Sequence, residues 1–168
     1  MDALTRPCAA RVLAVDDDPL ALRTIAHVLA RIGVVSVTGC NSGPAALEVL
    51  DGAGEPLDVI VLDLNMPGMD GIEFIRRLVA RRYTGGIVLL SGEDESTLQS
   101  AETLLRAHKL RALGHLRKPV EPGQLAALLD LWRPFGESAI TVSSPAYSAA
   151  DVQRAIDGRE LVAHFQPQ

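Results

Sequence analysis

Cysteine is scarce in this chain. Its two thiols, Cys8 and Cys40, stand far apart, with no CxxC spacing and no neighbouring histidine cluster. That argues against both a disulfide framework and a zinc site. Long apolar runs are missing too: none approaches the roughly 18 residues that a membrane helix needs. The opening residues, Met1-Asp2-Ala3-Leu4-Thr5-Arg6-Pro7, lack the charged-then-apolar profile of a secretory signal. The cytoplasm is the expected location, with no membrane partner. Positive charge is in deficit, 16 basic against 21 acidic residues for a net charge of −5. This is a poor footing for gripping phosphates along nucleic acid, so no direct nucleic-acid partner is expected. Internal repeats and low-complexity tracts are absent.

What is present is a globular ratio: 48% hydrophobic and 22% charged residues, which disfavours collagen-like, coiled-coil and wholly disordered readings. At about 150 residues per domain, the chain holds one domain and a remainder too short to fold by itself. From Arg11 to about Arg133, short β-branched runs alternate with stretches of helical spacing. The runs Val12 to Val15, Val34 to Thr38, Val59 to Leu62 and Ile87 to Leu90, with a weaker one at Ala112 to Leu116, predict five strands. Asp18 is placed to cap a helix with Pro19 at its first position, Leu22, Ile25, Ala26, Leu29 and Ile32 on one face, and Gly33 at its end. Further helices are predicted at about Gly43 to Leu50, Gly71 to Arg82, Ser96 to His108 and Pro122 to Trp132. Alternation of this kind implies a parallel α/β sheet.

Carboxylates collect at the ends of these strands. Asp16, Asp17 and Asp18 follow the first, and Asp63 follows the third. In a doubly wound sheet of order 2-1-3-4-5 the first and third strands are neighbours at the topological switch point, so these sequence-distant acids converge on one crevice. Two carboxylates about 4 Å apart repel by about 4 kcal/mol at an effective dielectric near 20. A hard divalent cation, Mg²⁺ by its oxygen ligands, would offset this, held by Asp17, Asp63, Asp16 and a nearby backbone carbonyl. Simple helix capping accounts for Asp18 but not for Asp63. Ser91 ends the fourth strand and Lys118-Pro119 follows the fifth, adding a hydroxyl donor and a cation to the same crevice. Such a set suits a phosphoryl group on an attacking aspartate, with Asp63 as nucleophile and Ser91 and Lys118 neutralising its oxygens. Taken singly, Ser91 could equally be a turn serine and Lys118 a surface cation.

Four segments in register now resemble one family. They are Val12-Leu13-Ala14-Val15-Asp16-Asp17-Asp18-Pro19, Val61-Leu62-Asp63-Leu64-Asn65-Met66-Pro67-Gly68-Met69-Asp70-Gly71, Leu89-Leu90-Ser91-Gly92 and Leu116-Arg117-Lys118-Pro119. Over roughly Arg11 to Trp132 the chain resembles the receiver domain of two-component response regulators. The resemblance implies a flavodoxin-like, doubly wound, five-stranded parallel sheet with helices on both faces. It further implies that Asp63 accepts phosphate from a sensor histidine kinase or phosphotransfer protein, that Asp16 and Asp17 hold Mg²⁺, and that the Asn65 carbonyl completes the metal shell. It also implies a cis Lys118-Pro119 bond, aiming the lysine inward, and a possible homodimer through the fourth helix, fifth strand and fifth helix. Three residues before the lysine, where the family commonly has an aromatic switch residue, stands His115. The stretch from Ser91 to Lys118 is a few residues longer than the common pattern, with Leu104, Leu105, His108 and Leu110 extending the fourth helix and its exit.

After Trp132 the turn-rich Arg133-Pro134-Phe135-Gly136 and Ser143-Ser144-Pro145 read as a linker. Ser148 to Asp151 then resembles a capping box. Ala155 to Pro167 looks like the opening of an EAL-type cyclic-di-GMP phosphodiesterase domain, without the Glu-Ala-Leu signature or the later metal-binding carboxylates. The expected organisation is a tail at 1–10, a receiver at 11–133, a linker at 134–150 and the start of an EAL-type domain at 151–168. The 168 residues themselves should then catalyse no hydrolysis of cyclic-di-GMP, the parent's catalytic residues lying beyond Gln168. Two other functions stay open on sequence. One is a stand-alone phosphatase with an aspartate nucleophile, which typically carries a second acid two residues on, where this chain has Asn65. The other is a non-phosphorylated interaction module with a vestigial acidic site.

Overall fold

A computed structural model describes residues 8–92 and 95–132. The elements alternate along the chain: β1 (Cys8–Val15), α1 (Pro19–Arg31), β2 (Val34–Cys40), α2 (Gly43–Gly52), β3 (Val59–Asp63), α3 (Gly71–Ala80), β4 (Gly86–Ser91), α4 (Glu95–Ala107), β5 (Arg111–Arg117) and α5 (Pro122–Asp130). All four strand pairings are parallel, in the order β2-β1-β3-β4-β5. The flavodoxin-like sheet expected from the sequence is therefore the observed one. The expected linker at 134–150 and EAL-like segment at 151–168 lie outside the described residues, as does the chain before Cys8.

Alternation along each strand divides the core in two, because successive side chains point to opposite faces. Leu13, Val15, Ile60, Leu62, Ile87 and Leu89 pack on one face with Ala46 and Leu47 of α2, Phe74, Ile75 and Leu78 of α3, and Leu98, Ala101 and Leu105 of α4. Val12, Ala14, Val59, Val61, Val88 and Leu90 pack on the other with Ile25, Val28 and Leu29 of α1 and Leu125 and Leu129 of α5. The middle strands β3 and β4 are buried along their whole lengths, as strands covered on both faces must be.

Local chemistry sets the helix ends. The Asp18 carboxylate accepts from the Leu20 amide at 2.8 Å, with Pro19 opening α1. Asp70 does the same for α3, accepting from the Glu73 amide at 2.8 Å. Gly33, past the end of α1, takes φ +90° as expected of a C-terminal glycine. The end of α3 departs from the sequence expectation: Arg82 adopts φ +52° and the Tyr83 amide bonds back to the Leu78 carbonyl, closing the helix before Arg82. Lys109 does likewise after α4, at φ +56°. β1 also begins earlier than expected, at Cys8, since pairing with Val34 recruits small residues that carry no strand signal of their own.

Candidate functional site

The parallel sheet brings the carboxyl ends of β1, β3, β4 and β5 to one edge, and each delivers one polar side chain there. Asp16 follows β1, its amide held by the Cys40 carbonyl at 3.1 Å. Asp63 is the last residue of β3, Ser91 the last of β4, and Lys118 follows β5. Among the described residues, Asp16, Asp63 and Ser91 are the polar residues buried in the core. Asp17 is exposed.

Lys118 binds both buried acids. Its Nζ lies 2.6 Å from Oδ2 of Asp16 and donates to Oδ2 of Asp63 at 2.8 Å. The peptide bond joining Lys118 to Pro119 is cis. The Lys118 amide donates to the Ser91 carbonyl at 3.2 Å, which ties the lysine to the end of β4. Each aspartate is also fixed by a backbone amide two residues on, Asp18 to Oδ1 of Asp16 at 3.0 Å and Asn65 to Oδ1 of Asp63 at 3.1 Å. The Ser91 hydroxyl donates to the Gly92 carbonyl at 3.4 Å, a long bond that is readily given up.

Burial pushes the Asp16 carboxyl up from its usual range. The Lys118 ammonium and the Asp18 amide pull it back without cancelling the rise, and the neighbouring Asp63 adds to it. Burial works against the Lys118 ammonium, yet its bonds to Asp16 and Asp63 outweigh that and hold its pKa above the ordinary lysine value. One cation therefore serves two buried anions. The cluster is short of positive charge, and Asp16 Oδ2, despite its ion pair, is buried without a well-formed hydrogen bond.

A hard divalent cation would fit this donor set. Carboxylate oxygens of Asp16, Asp17 and Asp63 lie within 4.8 Å of one another, all are hard ligands, and the buried Oδ2 of Asp16 is met by the Lys118 ammonium alone. Asn65, two residues after Asp63, is exposed at the start of the loop leading to α3.

That loop is held against the site by close contact. A Cβ on Gly71 would come within 2.7 Å of the Leu64 Cα, so only glycine permits this approach. Gly68 takes φ +80° in the turn between them. Met66 is buried and Met69 packs against Gly43, where a Cβ would meet its sulfur at 2.7 Å. Both methionines serve packing.

His115 is not brought to the crevice. It lies on β5 opposite Leu89, and its Nδ1 meets Glu102 of α4 at 2.8 Å, outside the core. Sequence reasoning brought together Asp16, Asp17, Asp63, Ser91 and Lys118 but missed that Lys118 touches Asp16 as well as Asp63. Nothing in a linear sequence marks the second contact.

A family model described as the response regulator receiver domain matches residues 12–130. The chain belongs to that family. Among curated relatives, this receiver is 28% identical over 159 residues to the cyclic di-GMP phosphodiesterase RocR of Pseudomonas aeruginosa, covering 94% of this chain and 40% of that protein. It is 31% identical over 146 residues to the positive alginate biosynthesis regulatory protein of the same organism, covering 85% of this chain and 55% of that one. The receiver chain thus spans about half or less of the length of either relative. Among solved structures, a response regulator from Colwellia psychrerythraea is 33% identical with a TM-score of 0.63, covering 74% of this chain and 97% of that one. Among the described residues no helix is long and apolar enough to cross a membrane.

Proposed function

We propose that this receiver takes a phosphoryl group onto Asp63 from a sensor histidine kinase or phosphotransfer protein, with Mg²⁺ bound, and thereby regulates an attached EAL-type phosphodiesterase domain. The carrying observation is the buried Asp63 carboxylate, held at one oxygen by Lys118 and at the other by the Asn65 amide, beside Asp16 and Asp17. A carboxylate oxygen of Asp63 attacks phosphorus, and the donor's phosphorus–nitrogen bond breaks as the phosphorus–oxygen bond forms. Lys118 balances charge on the new acyl phosphate. The Ser91 hydroxyl, released from its long bond to Gly92, donates to a phosphoryl oxygen. Asp16, Asp17, Asp63 and the Asn65 carbonyl would hold Mg²⁺, which neutralises charge on the phosphoryl oxygens when bound. Such a switch modifies itself and leaves substrate turnover to its partner domain.

A protein-glutamate methylesterase of Burkholderia thailandensis also aligns over 94% of this chain, so the link to an EAL-type domain is supported by the EAL-like residues 151–168 taken together with the RocR alignment. At 94% of this chain it cannot stop where the receiver match ends at residue 130, so it runs on into the segment that resembles an EAL opening. The site is tested with Mg²⁺ and acetyl phosphate or beryllofluoride. The wild type responds and Asp63→Asn does not; equal responses would refute the assignment. The output is tested by reading the gene beyond Gln168, where a Glu-Ala-Leu segment is expected and a stop codon would remove the effector.

A further inference from the structure

A second concave site lies at the opposite end of the sheet from the acidic crevice. It is a cavity of about 320 Å³ between the end of α2, the segment entering β3, and the end of α3 with the turn into β4. The length of β3, about 16 Å, separates it from Asp63. Its floor is apolar: Leu57 and Leu78 are buried, and Leu50 and Pro56 flank them. Water in such a space finds few partners and is readily displaced by an apolar body. The volume falls at the lower end of the range typical of small-molecule sites.

The rim is charged, and its charges are unevenly matched. Arg81 grips Asp51 through two bonds, Nε to Oδ1 and a terminal nitrogen to Oδ2, each 2.7 Å, and gives a third to the Arg77 carbonyl at 3.3 Å. That fork closes the wall between α2 and α3 and leaves the pair neutral. Arg82, next in the chain, sits at φ +52° and meets no partner among the described residues, and nor does the Thr84 hydroxyl. Tyr83 lies between them, half-buried, its hydroxyl donating to the Gly86 carbonyl at 3.4 Å. A Cβ on Gly85 would strike the Tyr83 hydroxyl and the Asp58 carbonyl, so glycine is what allows the tyrosine to line the cavity.

We propose that this cavity binds a small monocarboxylate with a branched or aromatic body. The apolar part covers Leu50, Leu57 and Leu78, and the carboxylate accepts hydrogen bonds from the Arg82 guanidinium and the Thr84 hydroxyl. Complementarity of charge selects that class. The one unpaired charge lining the site is positive and the free hydroxyl can donate, so a single carboxylate satisfies both groups while an ammonium finds no counter-ion. A phosphate dianion would need a second cation, and Arg81 is committed to Asp51. The site stands apart from the acidic crevice and does not depend on Asp63 being the phosphoacceptor.

Titration of the full chain with phenylacetate, followed by amide NMR in chelator at constant ionic strength, tests the site. Phenethyl alcohol and phenethylamine serve as neutral and cationic comparators of the same shape. Phenylacetate should give saturable shifts at the amides of Leu57, Arg82, Tyr83 and Thr84. It should bind about three- to five-fold tighter than phenethyl alcohol, the gain expected of one partly exposed ion pair, and phenethylamine should bind most weakly. Arg82→Gln changes the rim and leaves the floor intact, so it should remove the advantage of phenylacetate and leave phenethyl alcohol binding unchanged. Thr84→Val should reduce that advantage by a smaller factor. The amides of α1, packed on the other face of the sheet through Ile25, Val28 and Leu29, serve as control. Shifts that do not saturate or that fall elsewhere, an equal or reversed order of the three compounds, or an undiminished phenylacetate advantage in Arg82→Gln would overturn the proposal.

Discussion

Replacing Lys118 with methionine tests the electrostatic reading of the crevice most directly. The side chain keeps its length and apolar stem, while the one cation facing Asp16 and Asp63 is lost. Asp16 is fully buried and Asp63 is 2% exposed, so neither carboxylate can turn to bulk water. Breaking a buried ion pair from one side costs about 3 to 5 kcal/mol. Lys118 is itself 31% exposed, so the lower end applies, about 3 kcal/mol. For a domain of this size that lowers Tm by about 10 °C. The assay is a urea melt in chelator, repeated with Mg²⁺. A ligand at about ten times its Kd stabilises by about 1.4 kcal/mol, and the gain should be larger in the variant than in the wild type, since no ammonium competes for the carboxylates. The sign with pH follows from Asp16. Its folded pKa lies above the unfolded value, so the stability it contributes is greatest in acid, where it is protonated, and falls as pH rises through the folded pKa. Without Lys118 that fall steepens, so in chelator the deficit of the variant grows between about pH 4 and pH 7. A deficit under about 1 kcal/mol at neutral pH, or one that grows in acid, would refute the claim that Lys118 offsets two buried charges.

Other consequences are local. Gly71→Ala places a methyl against the backbone of Leu64, next to Asp63, and should cost about 1 to 3 kcal/mol in a denaturant melt. Asp70→Ala removes the cap on the Glu73 amide, with an expected loss of about 1 kcal/mol on the same assay. Burial, with a smaller push from Asp58, holds the Tyr83 phenol well above the usual tyrosine range. In alkaline titration followed at 295 nm, the component lost in Tyr83→Phe should therefore titrate last. The same shift makes this residue stabilising below the unfolded tyrosine pKa, and that stability is lost as pH climbs toward the folded value. A Tyr83 component titrating near pH 10 would contradict its burial.

Much of the architecture was legible in the chain itself. Short β-branched apolar runs announced the strands, more weakly at Ala112 to Leu116, and Asp18-Pro19 announced the start of α1, because capping and φ restriction act on neighbours in sequence. The acids after β1 and β3 could be placed together as soon as the strand order was inferred, since parallel strands bring their carboxyl ends to one edge. Helix ends at Arg82 and Lys109 were less legible. A positive φ at a basic residue is chosen by how the chain must turn into the next strand, not by its own preference.

The bulge in β5, where Ile87 pairs with Ala112 but Val88 with Gly114, left a trace that was not used: two leucines three apart, Leu113 and Leu116, around a glycine, break strict alternation. Where His115 points followed from that bulge, because one extra residue reverses every side chain beyond it. The residue types, their order and their strand-end positions were set by sequence, since local geometry reads only near neighbours. That Lys118 reaches Asp16 as well as Asp63, that Gly71 lies on Leu64, and that Glu95 and Glu102 meet β5 were decided by tertiary packing alone. Each is a contact between residues that only the folded chain makes neighbours.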